Sequence, residues 1–271
     1  MGYQVAVVAA FAHVALSTSL AAAHAGYPDS YAASTDLSEL VVRRDSSPAN
    51  GSFFYAYLAR WECSDEGGIA RRVASEGHPS PGSKQGHAVQ QQLERCRNLP
   101  LGLTNVSAQR QDVEEGRVAG DKLFGAFKGT GGSWFRVHDQ ADLLRALRFL
   151  SPDSDPNMSW VVAQKLGQLG AERRILVDGQ RPSETEGRSL YVSFLLAACD
   201  INVDCGSSHR WMRGWCLQNA ECDDPSLEAY WRRKETGRDS MDWTSIARYR
   251  AIITASARTA NWSSFSLAPE R

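Results

Sequence analysis

Cys63, Cys96, Cys199, Cys205, Cys216 and Cys222 are the side chains of this sequence with the plainest chemistry, since thiols either ligate metals or oxidise in pairs. Structural zinc favours C-x2-C, or Cys and His paired at short spacing, and neither pattern occurs. An even set of cysteines behind an export signal reads as a disulfide framework. Cys63 and Cys96 are the two cysteines of the N-terminal half and natural partners across a helical pair. The other four form two C-x5-C pairs, and spacing does not choose how they join.

Export is expected from residues 1–25, which carry no Asp, Glu, Lys or Arg. Val5 to Leu20 is small and apolar, and Ala23-His24-Ala25 matches the small-x-small cleavage site of a secretory signal. The run is too short, and too diluted by His13, Ser17, Thr18 and Ser19, to anchor in a bilayer. The expected product begins at Gly26, is secreted or periplasmic, and makes no stable membrane insertion after processing. With a formal net charge of −1, binding to nucleic acid through bulk positive charge is excluded.

Other chemistry is weaker. Lys128-Gly129-Thr130-Gly131-Gly132-Ser133 places its lysine first and follows no strand, so it is a connection and not a phosphate loop. G-x-S-x-G and H-E-x-x-H are absent. Asp200, Asp204, Asp223 and Asp224 lack the calcium-loop pattern and read as helix-end and loop carboxylates. His78, His87, His138 and His209 have no local partner marking a triad, and Glu62, Glu94, Glu172 and Glu186 read as ordinary helix residues. No catalytic residue, metal or cofactor is assigned. What remains is aromatic: Trp211, Trp215 and Trp231, within a Trp-rich C-terminal third, are the candidate partner-binding residues.

The elements that must position these groups are helical. Phe53 to Cys63 is a buried first helix, and Val89, Leu93 and Cys96 mark one face of a helix over Lys84 to Arg97. Ser107 is expected to cap a helix to Ala119, and Gln140 to Leu150 forms another. Asp155-Pro156 pairs a cap with a first-turn proline and opens a helix to about Leu169. Ser183 and Glu186 form a capping box ahead of the apolar run that ends at Cys199. Asp224-Pro225 is expected to open a helix to Lys234, and Ser240 or Asp242 a last one over Trp243 to Ala257. Arg174 to Val177 is the best strand candidate. The fold expected is all-α: stacked helical hairpins with a disulfide-linked C-terminal corner, a flexible leader over 26–50 and one helical domain over 51–271. Asp121 and Asp155 stand 34 residues apart, the tetratricopeptide period, which raises a degenerate solenoid as one form of that stack.

Ala197-Ala198-Cys199-Asp200-x-x-x-Asp204-Cys205-Gly206, followed by Trp211, Cys216, Cys222 and a helix bearing Tyr230, is similar to a group of uncharacterised secreted or periplasmic proteobacterial proteins. These often carry degenerate tetratricopeptide-like helices ahead of such a corner. The resemblance spans chiefly Asp155 to Trp262 and implies architecture and compartment, with no activity to carry over. Ile201-Asn202 departs from it where the others often place glycine. The function expected is a non-catalytic protein-binding module with a protein partner. The rival is a small secreted hydrolase acting on envelope polymers.

Overall fold

The structure is a computed structural model that describes residues 27–46, 51–77, 79–80, 82–127, 135–234 and 241–269. The expected signal over 1–25 and the Lys128–Ser133 connection lie outside the described residues. The described residues are mostly helical, with three disulfides. Among the described residues no helix is long and apolar enough to cross a membrane.

The expected flexible leader is corrected. Residues after 26 form helices α1 (Tyr27–Ala33) and α2 (Ser38–Ser46). Leu37, Leu40, Val41 and Arg44 follow helical spacing, and all four are buried. The pattern is short and set among Ser and Asp, so composition outweighed it. These helices lie on α3 (Ser52–Ser64), which α7 (Val106–Val118) also covers. α4 (Glu66–Ser75) follows α3 after Asp65 and packs on α5 (Lys84–Arg95), which Ser83 caps. Short α6 (Leu101–Thr104) and α8 (Lys122–Gly125) flank α7. Asn105, not Ser107, caps α7 by accepting the Ala108 N–H at 2.9 Å.

The C-terminal half is built around α11 (Glu184–Ile201), packed between α10 (Pro156–Ala171) and α14 (Trp243–Thr259). Leu190 and Val192 to Ala198 are all buried, as befits a helix apolar all round. The Ser183/Glu186 capping box forms as the sequence predicts, and Asp155 and Asp242 cap their helices. Small residues let α10 and α11 approach closely. A Cβ on Gly187 would lie 3.0 Å from the Gly170 carbonyl oxygen, and one on Gly170 2.9 Å from Leu190 Cγ.

α9 (Gln140–Leu147) leads into α10, and β1 (Ile175–Val177) falls where the strand was expected. It pairs antiparallel with β2 (Phe265–Leu267). α12 (Arg210–Asn219) and α13 (Leu227–Lys234) complete the corner. Asp224 does not cap α13. Ser226 accepts the Ala229 N–H at 3.2 Å, and Asp224 instead pairs with Arg233 at 2.7 Å. Asp121 precedes a helix of 4 residues and Asp155 one of 16, so their interval does not mark two copies of one unit.

One hydrophobic cluster runs from Tyr31 to Phe265 through both halves. A smaller one, Ala70, Val89 and Leu217, joins α4, α5 and α12. α12 is therefore the element that ties the C-terminal corner to the N-terminal helices.

Candidate functional site

Cys63 joins Cys96 across α3 and the end of α5, as expected. In the corner Cys199 joins Cys205 and Cys216 joins Cys222, so each C-x5-C pair closes on itself. Asn202 has φ −160, outside the left-handed region that favours glycine. Its amide donates to the carbonyls of Ser151 and Ser154 at 3.0 and 2.7 Å, tying the corner to the turn before α10. The corner carboxylates do not converge. Asp200 pairs with Arg250 at 2.6 Å, Asp204 accepts the Gly206 N–H, and Asp223 meets Lys84. Among the described residues no group of three or more His, Cys, Asp or Glu is placed to hold a metal ion.

A cleft of about 690 Å³ opens between α3, α4, α7, α10, α11 and α12. Tyr57 and Trp61 from α3, Phe135, Tyr191 from α11, and Trp211 and Trp215 from α12 line it. All six rings are half-buried. Two of the three tryptophans singled out in the sequence therefore meet in one cleft. Trp231 stands behind them, its ring 6.2 Å from Tyr191 and 6.0 Å from Trp211. α10 presents Val161, Gln164, Lys165 and Gln168 to the cleft, one face of a helix by their spacing. Gln109 and Gln218 add two more carboxamides.

The floor is ionic, and sequence reasoning missed it. Glu62 is fully buried in the last turn of α3 and is no ordinary surface residue. It accepts from Tyr31 Oη at 2.5 Å, Gln92 Nε2 at 3.1 Å and Arg95 Nε at 3.0 Å, and Arg213 lies 3.6 Å away. Burial pushes its carboxyl up, but Arg95, Arg213 and Arg210 outweigh this and hold it down to about 2. Glu66, in the first turn of α4, lines the cleft and is also buried. Its Oε1 takes a 2.8 Å bond from Arg210 Nε, while Oε2 has no partner. Burial pushes Glu66 up to about 7, against the pull of Arg210 and with the push of Glu62. The two glutamates thus part company because one has both oxygens served and the other only one. Only the four-residue spacing of Glu62 and Glu66 beside Trp61 hinted at this in the sequence.

His209 is the N-cap of α12, its Nδ1 accepting the Trp211 N–H at 3.3 Å, with its ring 4.3 Å from Trp160. Burial, then Arg210 and Arg213, pull it down to about 4. A neutral imidazole used as a cap fixes the start of the helix that carries Trp211 and Trp215. The cleft therefore combines ring faces, carboxamides and a buried, paired acid, a set suited to holding a molecule in place. A scan against protein-family models finds no match, and no curated protein or solved structure matches this chain.

Proposed function

We propose that this chain is a secreted or periplasmic, non-catalytic binding module that holds a protein partner in the aromatic cleft. The observation that carries this reading is the convergence on one cleft of six half-buried rings, from α3, α11, α12 and the segment at Phe135. Buried aromatic anchors dominate the energetics of such contacts. Export is supported by the three disulfides, which persist in oxidising compartments. The test is the affinity for a purified partner identified from the protein's own periplasm or medium. Trp211→Ala and Trp215→Ala should each weaken it at least about tenfold, roughly 1.4 kcal/mol. Unchanged affinity in both variants would sink the proposal.

A second reading, a hydrolase acting on cell-envelope polymers, is favoured by one observation. Asp65 and Glu66 both line the cleft, and Glu66 holds its proton to about 7, as a general acid must. Turnover of an envelope polymer that Glu66→Gln abolishes without unfolding the protein would decide for it.

A further inference from the structure

We propose that the cleft between α3, α4, α7, α10, α11 and α12 binds a neutral saccharide, with pyranose rings lying against Tyr191, Trp211 and Trp215. This rests on the cleft being the binding site and names the chemistry it takes. Aromatic faces carry negative potential, and the C–H-rich face of a pyranose is their apolar, weakly positive complement. Four of the polar groups between the rings are carboxamides. Each donates and accepts, as a hydroxyl does, so amide and sugar hydroxyl can satisfy one another in either sense. Gln164 and Gln218 have no hydrogen-bond partner among the described residues and line the cleft. Gln109 and Gln168 are partly engaged, through Ser64 and Thr104 and through Lys165.

Charge excludes the rival ligands. The ionisable lining residues are Asp65 and Glu66 against Arg110 and Lys165, and Glu66 is already paired with Arg210. With Glu66 committed to Arg210, Asp65 faces Arg110 and Lys165, and a surplus of one exposed cation is too weak to select a phosphate or an acidic peptide. An extended peptide gains most of its affinity from an open sheet edge, and neither β1 nor β2 contributes to the lining. An amphipathic helix needs a continuous hydrophobic groove, whereas the α10 face alternates Val161 with Gln164, Lys165 and Gln168. The saccharide is either carried by a glycosylated protein partner or part of an envelope polysaccharide. The recognition chemistry is the same.

Gly214 supplies a clean blocking variant. It lines the cleft mid-α12, and a Cβ there would meet only Glu66 Oε1, at 4.0 Å. Gly214→Leu therefore starts its side chain in open space on the cleft wall, at a helical site where glycine is the poorer residue. The experiment titrates the full mature protein with N-acetylchitotetraose and with cellotetraose, following tryptophan fluorescence and calorimetry. Saturable binding of at least one is expected, weakened at least about tenfold by Gly214→Leu at unchanged melting temperature and several-fold by Gln164→Ala. No saturable binding of either probe at millimolar concentration, or equal binding by Gly214→Leu, overturns the proposal. If a purified protein partner is still lost on Gly214→Leu while no saccharide binds, the ligand class is wrong and the binding cleft stands. If neither binding responds to Gly214→Leu, both readings fall. Loss of the partner after periodate oxidation of its glycans assigns the saccharide to the partner. Co-sedimentation with isolated envelope polysaccharide assigns it to the envelope. Failure of both arms overturns the inference.

Discussion

Arg210 donates from Nε to Glu66 Oε1 at 2.8 Å while its guanidinium lies 3.5 Å from the centre of the Trp61 ring. One side chain of α12 thus spans the floor acid of the cleft and one of its wall rings. A planar cation does both at once, which a lysine could not. Arg213, one turn on, reaches Glu62 at 3.6 Å. The wall carrying Trp211 and Trp215 is therefore held to the α3–α4 junction by two arginine–glutamate contacts. The aromatic cleft and the buried charges are one construction.

A second buried charge cluster holds the N-terminal layer. Asp112 of α7 is fully buried between Arg44 of α2 and Arg60 of α3, with Arg60 Nε at 2.9 Å. Burial raises its carboxyl to about 6 against the pull of both arginines. Removing the shared carboxylate leaves buried Arg60 without an acidic partner and Arg44 with only the exposed Asp45 and Glu115, so Asp112→Ala should cost about 3–5 kcal/mol in urea unfolding. A loss under about 1 kcal/mol would show that water or other groups serve these arginines as well.

The disulfides should contribute unequally. Cys63 and Cys96 are 33 residues apart, whereas each corner pair is separated by 6. In the chain-entropy model the longer loop contributes about 3–4 kcal/mol and each short one about 2 kcal/mol. Replacing Cys63 and Cys96 together by serine should lower the melting temperature more than replacing Cys216 and Cys222 together. The reverse order would place the corner, and not the α3–α5 link, as the weak point of the fold.

Helices with strong caps were legible in the sequence. Ser183, Asp155 and Asp242 cap the helices they were expected to, because a side-chain cap is a local device needing only its own turn. The all-helical class was legible from the helical spacing of apolar residues, and the Cys63–Cys96 pairing because these are the two cysteines of the N-terminal half. Asp224 misled because a distant arginine, Arg233, took the carboxylate that the local pattern assigned to the backbone. The cleft was half legible. Trp211 and Trp215 stand out by composition, but Tyr57, Trp61 and Tyr191 look like core residues until helices far apart in sequence meet. The roles of Glu62 and Glu66 were not legible because their burial depends on arginines 33 and 144 residues away.

Close helix contact makes a further test. In the α10–α11 pair a methyl on Gly187 would press on the Gly170 carbonyl oxygen at 3.0 Å and the Ala171 carbonyl oxygen at 3.2 Å. Backbone cannot swing aside, so Gly187→Ala should destabilise by about 1–3 kcal/mol despite alanine's better helix propensity. Gly68 in α4 has nothing within 4 Å of an added Cβ, and Gly68→Ala should stabilise by about 0.5–1 kcal/mol. Thermal melts of the two variants moving in the same direction would refute the packing argument.

Glu66 and His209 should pull stability in opposite directions over one pH window. Glu66 rises from an ordinary 4.5 to about 7, so the folded state holds its proton more tightly than the unfolded state. Its contribution to stability grows as pH falls from about 7 to 4.5 and is lost on the way back up. His209 drops from an ordinary 6.5 to about 4, so the unfolded state binds that proton more tightly. Its contribution is present at neutral pH and is lost as pH falls from about 6.5 to 4. Each unit is worth about 1.4 kcal/mol, so over the shared range the two largely cancel. Glu66→Gln should leave His209 unopposed, and this variant should lose stability on acidification relative to the parent. His209→Asn keeps a capping side chain for α12 and should gain stability relative to the parent over the same range. Asp112 titrates alike in all three proteins and drops out of the difference, and Glu62, held near 2, enters only below about 4.5. The measurement is urea unfolding at half-unit steps from pH 4.5 to 7.5. Parallel curves for both variants and the parent would mean that neither group changes its proton affinity on folding.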